Sequence, residues 1–435
     1  NSSAVDVSNE ITLGDANITV LRIPGLQSGA SDGDVLTFAS GTGLITLAAA
    51  GGGGASSLNG LSDCDTTTSG QGSMLIGNVP AGLTTSAFYN TGLGYSSLNS
   101  LTTANYNTSV GRNSLKLLTA SEGHNTAFGA DALNAGSSTQ QYSTAIGSGA
   151  GYSATGRHGV YVGYFAGRNN TNQGHISIGY EAGYSNTSGA SNTNVGYKAG
   201  YQNTTNSYRT YLGYEAGNYN SGARNTGIGY RACNGYFSFG TGQGTGGNNT
   251  AVGYEALSAL NGTGAYGNTA VGKSALGGVI TGANNTALGE ASGGNITSGS
   301  NLTLLGYNAE PSSATATNEI TLGDATIGAL RCQVQTISAL SDSRDKTNVQ
   351  PSIYGLDLIS QLQPVTFDWN MRDGAKVGDK DLGFIAQELQ EVDDENLKLV
   401  YANNPDRLEA SYGRLIPVLV KAIQELKAEI ELLKS

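Results

Sequence analysis

The sequence has one tryptophan, two methionines, three cysteines and seven prolines in 435 residues, and only 13% of it is charged. Each scarcity excludes something. Cys64, Cys233 and Cys332 lie far apart with no CxxC or Cys/His spacing, so no metal site is expected, and no other cofactor. An odd number leaves at least one thiol outside any disulfide within the chain, and small buried residues are the expected role. No apolar run reaches membrane-spanning length, so no membrane insertion is expected. A net charge of −11 argues against nucleic acid or an anionic surface held by a general basic field. No leader-type segment is visible, and a chain starting at Asn1 is expected to be a piece of a longer one. Large aliphatics are thin on the ground, so a conventional layered core is not expected either.

Charge is also unevenly spread. Residues 1–340 carry 27 of the 55 charged side chains, and residues 341–435 carry the other 28. A boundary near 340 therefore separates two kinds of chain. The first is rich in Gly, Asn, Thr, Ser, Ala and Tyr. Disorder would suit that composition, but it explains neither 20 of the chain's 23 tyrosines nor a strict period.

The period comes from one phrase: Asn-Thr, a residue, an aliphatic, Gly, often Tyr, then a small-residue pair. Asn192-Thr193-Asn194-Val195-Gly196-Tyr197 and Asn249-Thr250-Ala251-Val252-Gly253-Tyr254 are examples. Its glycine falls at 77, 94, 111, 129, 147, 163, 179, 196, 213, 229, 253, 272, 289, 306 and 323, a spacing near 17. This marks a repeat architecture. The one interval of 24 is a rung with a surface loop centred on Gly240–Gly247. A unit this short and glycine-rich suits one coil of a parallel β-roll, with two short strands and two turns. In that coil the aliphatic before Gly is expected to point inward, Gly to permit the corner, and Asn to form a hydrogen-bonded ladder. So thin a core implies that neighbouring chains supply part of the wall.

The phrase Asn-Thr-Ala-Val-Gly resembles the head repeats of trimeric autotransporter adhesins, which form a left-handed parallel β-roll. Their repeat is shorter and lacks the Gly-Tyr-x-Ala-Gly follow-on. The resemblance implies a homotrimer.

A second repeat is longer: Asn9-Glu10-Ile11-Thr12-Leu13-Gly14-Asp15-Ala16 recurs as Asn318-Glu319-Ile320-Thr321-Leu322-Gly323-Asp324-Ala325. The second copy closes the roll in register, so the first is expected to close an earlier one. Glu181, Lys198, Glu215, Arg231 and Glu255 sit two after the register glycine and Lys273 one after it, with mixed sign, and read as solvated surface. Tyr164, Tyr180, Tyr197, Tyr214, Tyr230 and Tyr254 either stack on sugars or pack rung on rung and between chains. His124, His158 and His175 show no ligand spacing.

The last 95 residues carry the most specific pattern. Ser341-Asp342-Ser343-Arg344-Asp345-Lys346 is followed by Gly355-Leu356 and by Leu362-Gln363-Pro364-Val365-Thr366-Phe367-Asp368-Trp369. Gly383-Phe384-Ile385-Ala386-Gln387-Glu388 and a terminal helix come next. This order resembles the intramolecular chaperone domain of endosialidases and other phage tail proteins, peptidase family S74. The resemblance implies that Ser341 is a nucleophile with Lys346 as its base, and that the Leu340–Ser341 bond is cut. Asp342 and Arg344 match the same motif and are expected to support the loop. Gln387 belongs to another landmark, structural or catalytic.

The chemistry is coherent by itself. A serine hydroxyl needs a base, and a lysine serves only when neutral, in a desolvated site. Positions i and i+5 face different ways on a helix or strand, so either a bend joins them or another chain supplies one partner. Beyond, Ile416, Ile423 and Ile430 alternate with Leu419, Leu426 and Leu433 at coiled-coil spacing over 415–434, with Pro417 in the first turn. Isolated, that pattern favours two strands; the resemblance implies three.

The expected chain is mainly β. Residues 1–25 end a preceding repeat module, 26–75 connect, 76–330 form a repeat β-roll shaft and 331–340 link to the cleavage site. Residues 341–435 form a small α/β chaperone with a coiled-coil helix. The expected function is a homotrimeric viral fibre, assembled in the host cytoplasm and carried on the virion outside the cell. It meets a host cell-surface receptor, with glycan a candidate, and joins upstream fibre or virion proteins. The alternative is a tailspike depolymerase cutting host surface polysaccharide, although paired carboxylates are not evident in the shaft.

Overall fold

The computed structural model describes residues 72–434 apart from 78–79, 81–82, 85, 120–122, 136–139, 236–245, 261–263, 334–338, 373 and 375, and of residues 1–71 only the backbone of five short strands. The chain divides into two units, Asn1–Ser62 and Asp63–Ser435. In the first, β1 (Asp6–Val7) pairs antiparallel with β2 (Glu10–Ile11), and β3 (Asp34–Phe38) with β4 (Ile45–Ala49). The rest of what was expected of residues 1–71, including Cys64 and the closing of an earlier roll, lies outside the described residues.

The second unit is built on a 16-stranded sheet. Its first strand, β5 (Cys64–Asp65), is antiparallel to β6 (Met74–Ile76); from β6 to β20 (Ile320–Leu322) every neighbour is the next strand in sequence, and every pairing is parallel. This is a β-solenoid with one coil per repeat. Register is kept across the long interval, because Thr226–Ile228 pairs directly with Thr250–Val252. The extra residues of that interval fall mostly on 236–245, outside the described residues.

Each coil contains one strand of three residues rather than two strands. The remainder is a string of turns whose N–H groups still bond to the coil above, as Gly200 N does to Ala216 O (2.9 Å) and Gln202 N to Asn218 O (2.9 Å). The backbone is therefore satisfied without a second strand. The direction of the side chains also corrects an expectation. Only the middle residue of each strand points inward, Ala251, Ala270 and Ala287 at 0% exposure. The aliphatic before the register glycine points out: Leu212 is 46% exposed and Leu288 54%. Alternation along a strand forces this choice; the inward position is small in most coils, while Leu75, Tyr161, Asn194, Tyr211 and Leu304 fill it in others.

The register glycines form the corner as expected, with φ between 105° and 144° from Gly77 to Gly306. At Gly196 (φ 132°) a Cβ would stand 2.3 Å from the carbonyl oxygen of Gly213 in the next coil, so space and dihedral both demand glycine. The asparagine ladder is present as well. Asn249 N donates to Asn225 Oδ1 (2.9 Å), Asn268 N to Asn249 Oδ1 (2.9 Å) and Asn285 N to Asn268 Oδ1 (3.0 Å), all buried. His175 and Arg209 take this ladder position in two coils, each 1% exposed. They lie in a polar band, with Asn186, Asn192 and Asn194, between one apolar core ending at Ala166 and another beginning at Ala199.

The tyrosines pack rung on rung. Ring centroids from Tyr164 to Tyr180, Tyr197, Tyr214, Tyr230 and Tyr254 step by 5.3, 5.3, 4.9, 5.3 and 4.8 Å. Within the stack each ring face meets a neighbouring ring, which leaves mainly edges for solvent between the two ends. The charges beside them also pair between coils, Lys198 with Glu181 (3.6 Å), Arg231 with Glu215 (2.7 Å) and Lys273 with Glu290 (2.7 Å).

The C-terminal region is small and mixed. Helices α1 (Leu356–Ile359), α2 (Ala386–Val392) and α3 (Leu415–Lys434) accompany two antiparallel pairs, β21 (Val365–Asn370) with β22 (Val377–Gly383) and β23 (Val400–Tyr401) with β24 (Glu409–Ala410). Its core holds Leu358, Leu389, Leu397, Leu399, Leu415 and Val418. Glu425 of α3 accepts from Leu356 N (2.7 Å), capping α1, whose own N-cap Gly355 has no side chain to do so.

Candidate functional site

Residues 339–342 run exposed out of the solenoid, and Leu340 is fully exposed (101%). The chain then bends. Ser343–Asp345 form a single 3₁₀ turn whose N-cap is Asp342, its carboxylate accepting from Arg344 N at 2.9 Å. The Arg344 guanidinium closes on the same carboxylate, with Nη2 2.6 Å from Oδ2 and Nε 3.0 Å from Oδ1. That pairing holds the Asp342 carboxyl below its ordinary range and raises Arg344.

The turn carries Lys346 back over the start of the motif. Its Nζ lies 2.6 Å from Ser341 Oγ and 3.3 Å from the Ser341 carbonyl oxygen. A bend within one chain thus joins the i and i+5 partners, and a second chain is not required to bring them together. Asp342 and Arg344 build that bend. Gln387 sits exposed on α2, where it lines a cleft with Phe367, Trp369 and Tyr412. No contact links it to Ser341 or Lys346 among the described residues.

The terminal helix has two apolar faces. Leu415, Val418 and Ala422 pack on the body of the domain. Ile416, Leu419, Ile423, Leu426, Ile430 and Leu433 form the expected seam on the other side, each at least 42% exposed in the single chain. Pro417 falls in the first turn, as its missing N–H requires.

One feature of this region was hidden in the sequence. Glu319, in the last coil, accepts from Ser312 N (2.8 Å), Ser312 Oγ (2.5 Å) and Tyr401 Oη (2.5 Å), with Asn403 Nδ2 at 3.3 Å. These donors outweigh partial burial and lower its pKa. Tyr401 and Asn403 belong to the C-terminal region, so Glu319 ties it to the end of the solenoid. The adjoining cleft, about 870 Å³, is lined by Glu310, Glu319, Tyr401, Arg407 and Glu409 among others. The repeated phrase marks Glu319 in the sequence, but its partners lie 82 and 84 residues on and leave no local trace there.

Residues 341–398 match the peptidase S74 family, the chaperone of endosialidase. The match starts at the serine whose turn has just been described and ends shortly before β23. It covers the S74 region alone, not the solenoid. No curated protein and no solved structure is significantly similar to the chain. Among the described residues no group of His, Cys, Asp and Glu is placed to hold a metal ion, and no helix is long and apolar enough to cross a membrane. Cys233 is buried, Cys332 is exposed, and no disulfide forms among the described residues.

Proposed function

We propose that the chain is the shaft of a homotrimeric viral fibre whose S74 region assembles and registers the copies, then cuts itself away before Ser341. One observation carries the reading: in a region matching the chaperone of endosialidase, a dedicated turn sets Lys346 Nζ 2.6 Å from Ser341 Oγ beside a fully exposed Leu340. Ser341 Oγ adds to the Leu340 carbonyl carbon while Lys346 takes the hydroxyl proton and passes it to the Ser341 nitrogen. The Leu340–Ser341 C–N bond breaks and leaves Leu340 as an ester on Oγ. Water hydrolyses the ester to the new carboxylate and frees the hydroxyl.

A lysine base works neutral, in a desolvated site, yet Ser341 and Lys346 are exposed in the single chain. The covering wall then comes from assembly, so cleavage reports correct association. S74 domains mediate self-association into trimers, and the exposed Ile/Leu seam of α3 suits that role. Lining up thin parallel coils from separate chains has a high loop-closure entropy cost. A trimerising C-terminus lowers it through effective concentration, and cleavage removes the route back. In this reading the fibre is built in the host cytoplasm, joins upstream virion proteins and meets a host surface receptor, glycan included.

Denaturing electrophoresis of wild type beside Ser341→Ala and Lys346→Ala tests the cut. Wild type is expected to separate into shaft and C-terminal fragment, with both variants intact. A wild-type chain that stays full-length after association refutes the cleavage.

The depolymerase reading gains one observation, the carboxylates of Glu310, Glu319 and Glu409 around one cleft. It ranks lower because Glu319 is already engaged by Ser312 and Tyr401, and one wall of that cleft leaves with the fragment. Release of oligosaccharide from host polysaccharide by cleaved shafts would reverse the ranking.

A further inference from the structure

Two side chains of every solenoid strand face outward, and together they make two columns along the sheet. One column is mostly threonine. The other, the residue before each register glycine, is aliphatic or Phe in every strand from Ile76 to Leu322. Neither column contains a charged residue. At the usual spacing of parallel strands the apolar column runs about 67 Å. Its members are not edges of a filled core: Phe128 is 57% exposed, Ile146 44% and Leu305 38%. Scattered exposed aliphatics are ordinary, whereas an unbroken line of them along a whole sheet is an interaction surface.

We propose that this face of the solenoid is the surface on which a second copy of the chain packs, column against column and coil against coil. The proposal rests on the multimeric reading above and adds which face of the shaft is buried. Three observations select the occupant. The column repeats once per coil over the full solenoid, and another solenoid of the same rise matches such a surface along its length. The two columns supply thirty residues from fifteen strands, the size of one side of a stable protein–protein interface of about 800 Å² per partner. Charge is absent from the columns yet present beside them, and there it is neutralised between coils of the same chain, as in Arg231–Glu215 and Lys273–Glu290. Those charges need no partner molecule; the aliphatic column does. The arrangement also adds apolar burial to a coil whose own core is narrow.

The test uses the full chain with Cys64→Ser and Cys332→Ser, carrying Ile228→Cys or Leu288→Cys on the column. Ser188→Cys, on the turn midway between successive strands, is the control. Packed sheets lie about 10 Å apart, a gap that a short bismaleimide spans. Sedimentation reports whether the chain is multimeric, and denaturing gels after cross-linking report which face is near its equivalent. The expected result is a multimer in which Ile228→Cys and Leu288→Cys shift to covalent pairs while Ser188→Cys remains a single chain. Multimers whose column cysteines fail to cross-link, or cross-link no better than Ser188→Cys, overturn the proposed face and leave the multimeric reading standing. A chain that sediments as a monomer overturns both.

Discussion

His175 offers a quantitative test of the solenoid interior. It occupies an asparagine-ladder position at 1% exposure, with its Nε2 3.3 Å from Asn186 Nδ2, in the same polar band as Arg209. Burial, with a smaller contribution from the Arg209 charge, pushes its pKa from 6.5 down to about 4, against an opposing hydrogen bond with the Gly189 backbone. The folded state therefore prefers neutral imidazole, while the unfolded chain protonates at the ordinary value. This contribution to stability is complete above pH 6.5 and is lost as pH falls toward 4. Over that interval the loss is about 3 kcal/mol, at about 1.4 kcal/mol per pKa unit. His175→Asn restores the ladder residue and removes the titration. Guanidinium unfolding of the full chain near neutrality and near the lower limit of that window is the assay. Wild type is expected to lose about 3 kcal/mol more than His175→Asn between the two conditions. Equal losses in both proteins, or an imidazole titrating in the folded state at its ordinary value, refute the reasoning.

Other consequences follow from single contacts. Gly196→Ala places a Cβ 2.3 Å from Gly213 O at a φ of 132°, and is expected to cost at least about 3 kcal/mol in denaturant unfolding. Gly328→Ala, with nothing within 4 Å of its new atom, is expected to stay within about 0.5 kcal/mol of wild type; similar losses for the two would count against the corner. Tyr401→Phe deletes a donor to Glu319 worth about 1.5–3 kcal/mol, and backbone exchange across 399–403 is expected to rise by roughly ten- to a hundredfold. Mass-spectrometric hydrogen exchange checks this, and unchanged exchange would show that Glu319 does not hold the S74 region.

The sequence by itself determined the period, the coil count, the corner glycines, the asparagine ladder and the start of α3 at Leu415. All of these are one-dimensional facts: a corner that only glycine permits, or a ladder that only stacked amides complete, must recur at the spacing of the coil. The family of residues 341–398 was legible for a similar reason, since its landmarks lie close together in order. Tertiary structure decided the rest. It placed the aliphatic before each register glycine outside and the middle residue of each strand inside, because strand alternation settles direction, and composition does not. It showed His124 and His158 stacked in a ladder with Tyr89, Tyr106 and Tyr142, at 4.6 to 5.4 Å between neighbouring rings. Their spacing of 16 to 18 residues from those tyrosines carries that information, and the histidines taken without the tyrosines do not. It brought Lys346 to Ser341 through a turn that Asp342 and Arg344 close, a bend that residue spacing leaves open. It joined Tyr401 to Glu319 across 82 residues, a contact that exists only once the last coil has formed beneath the domain that touches it.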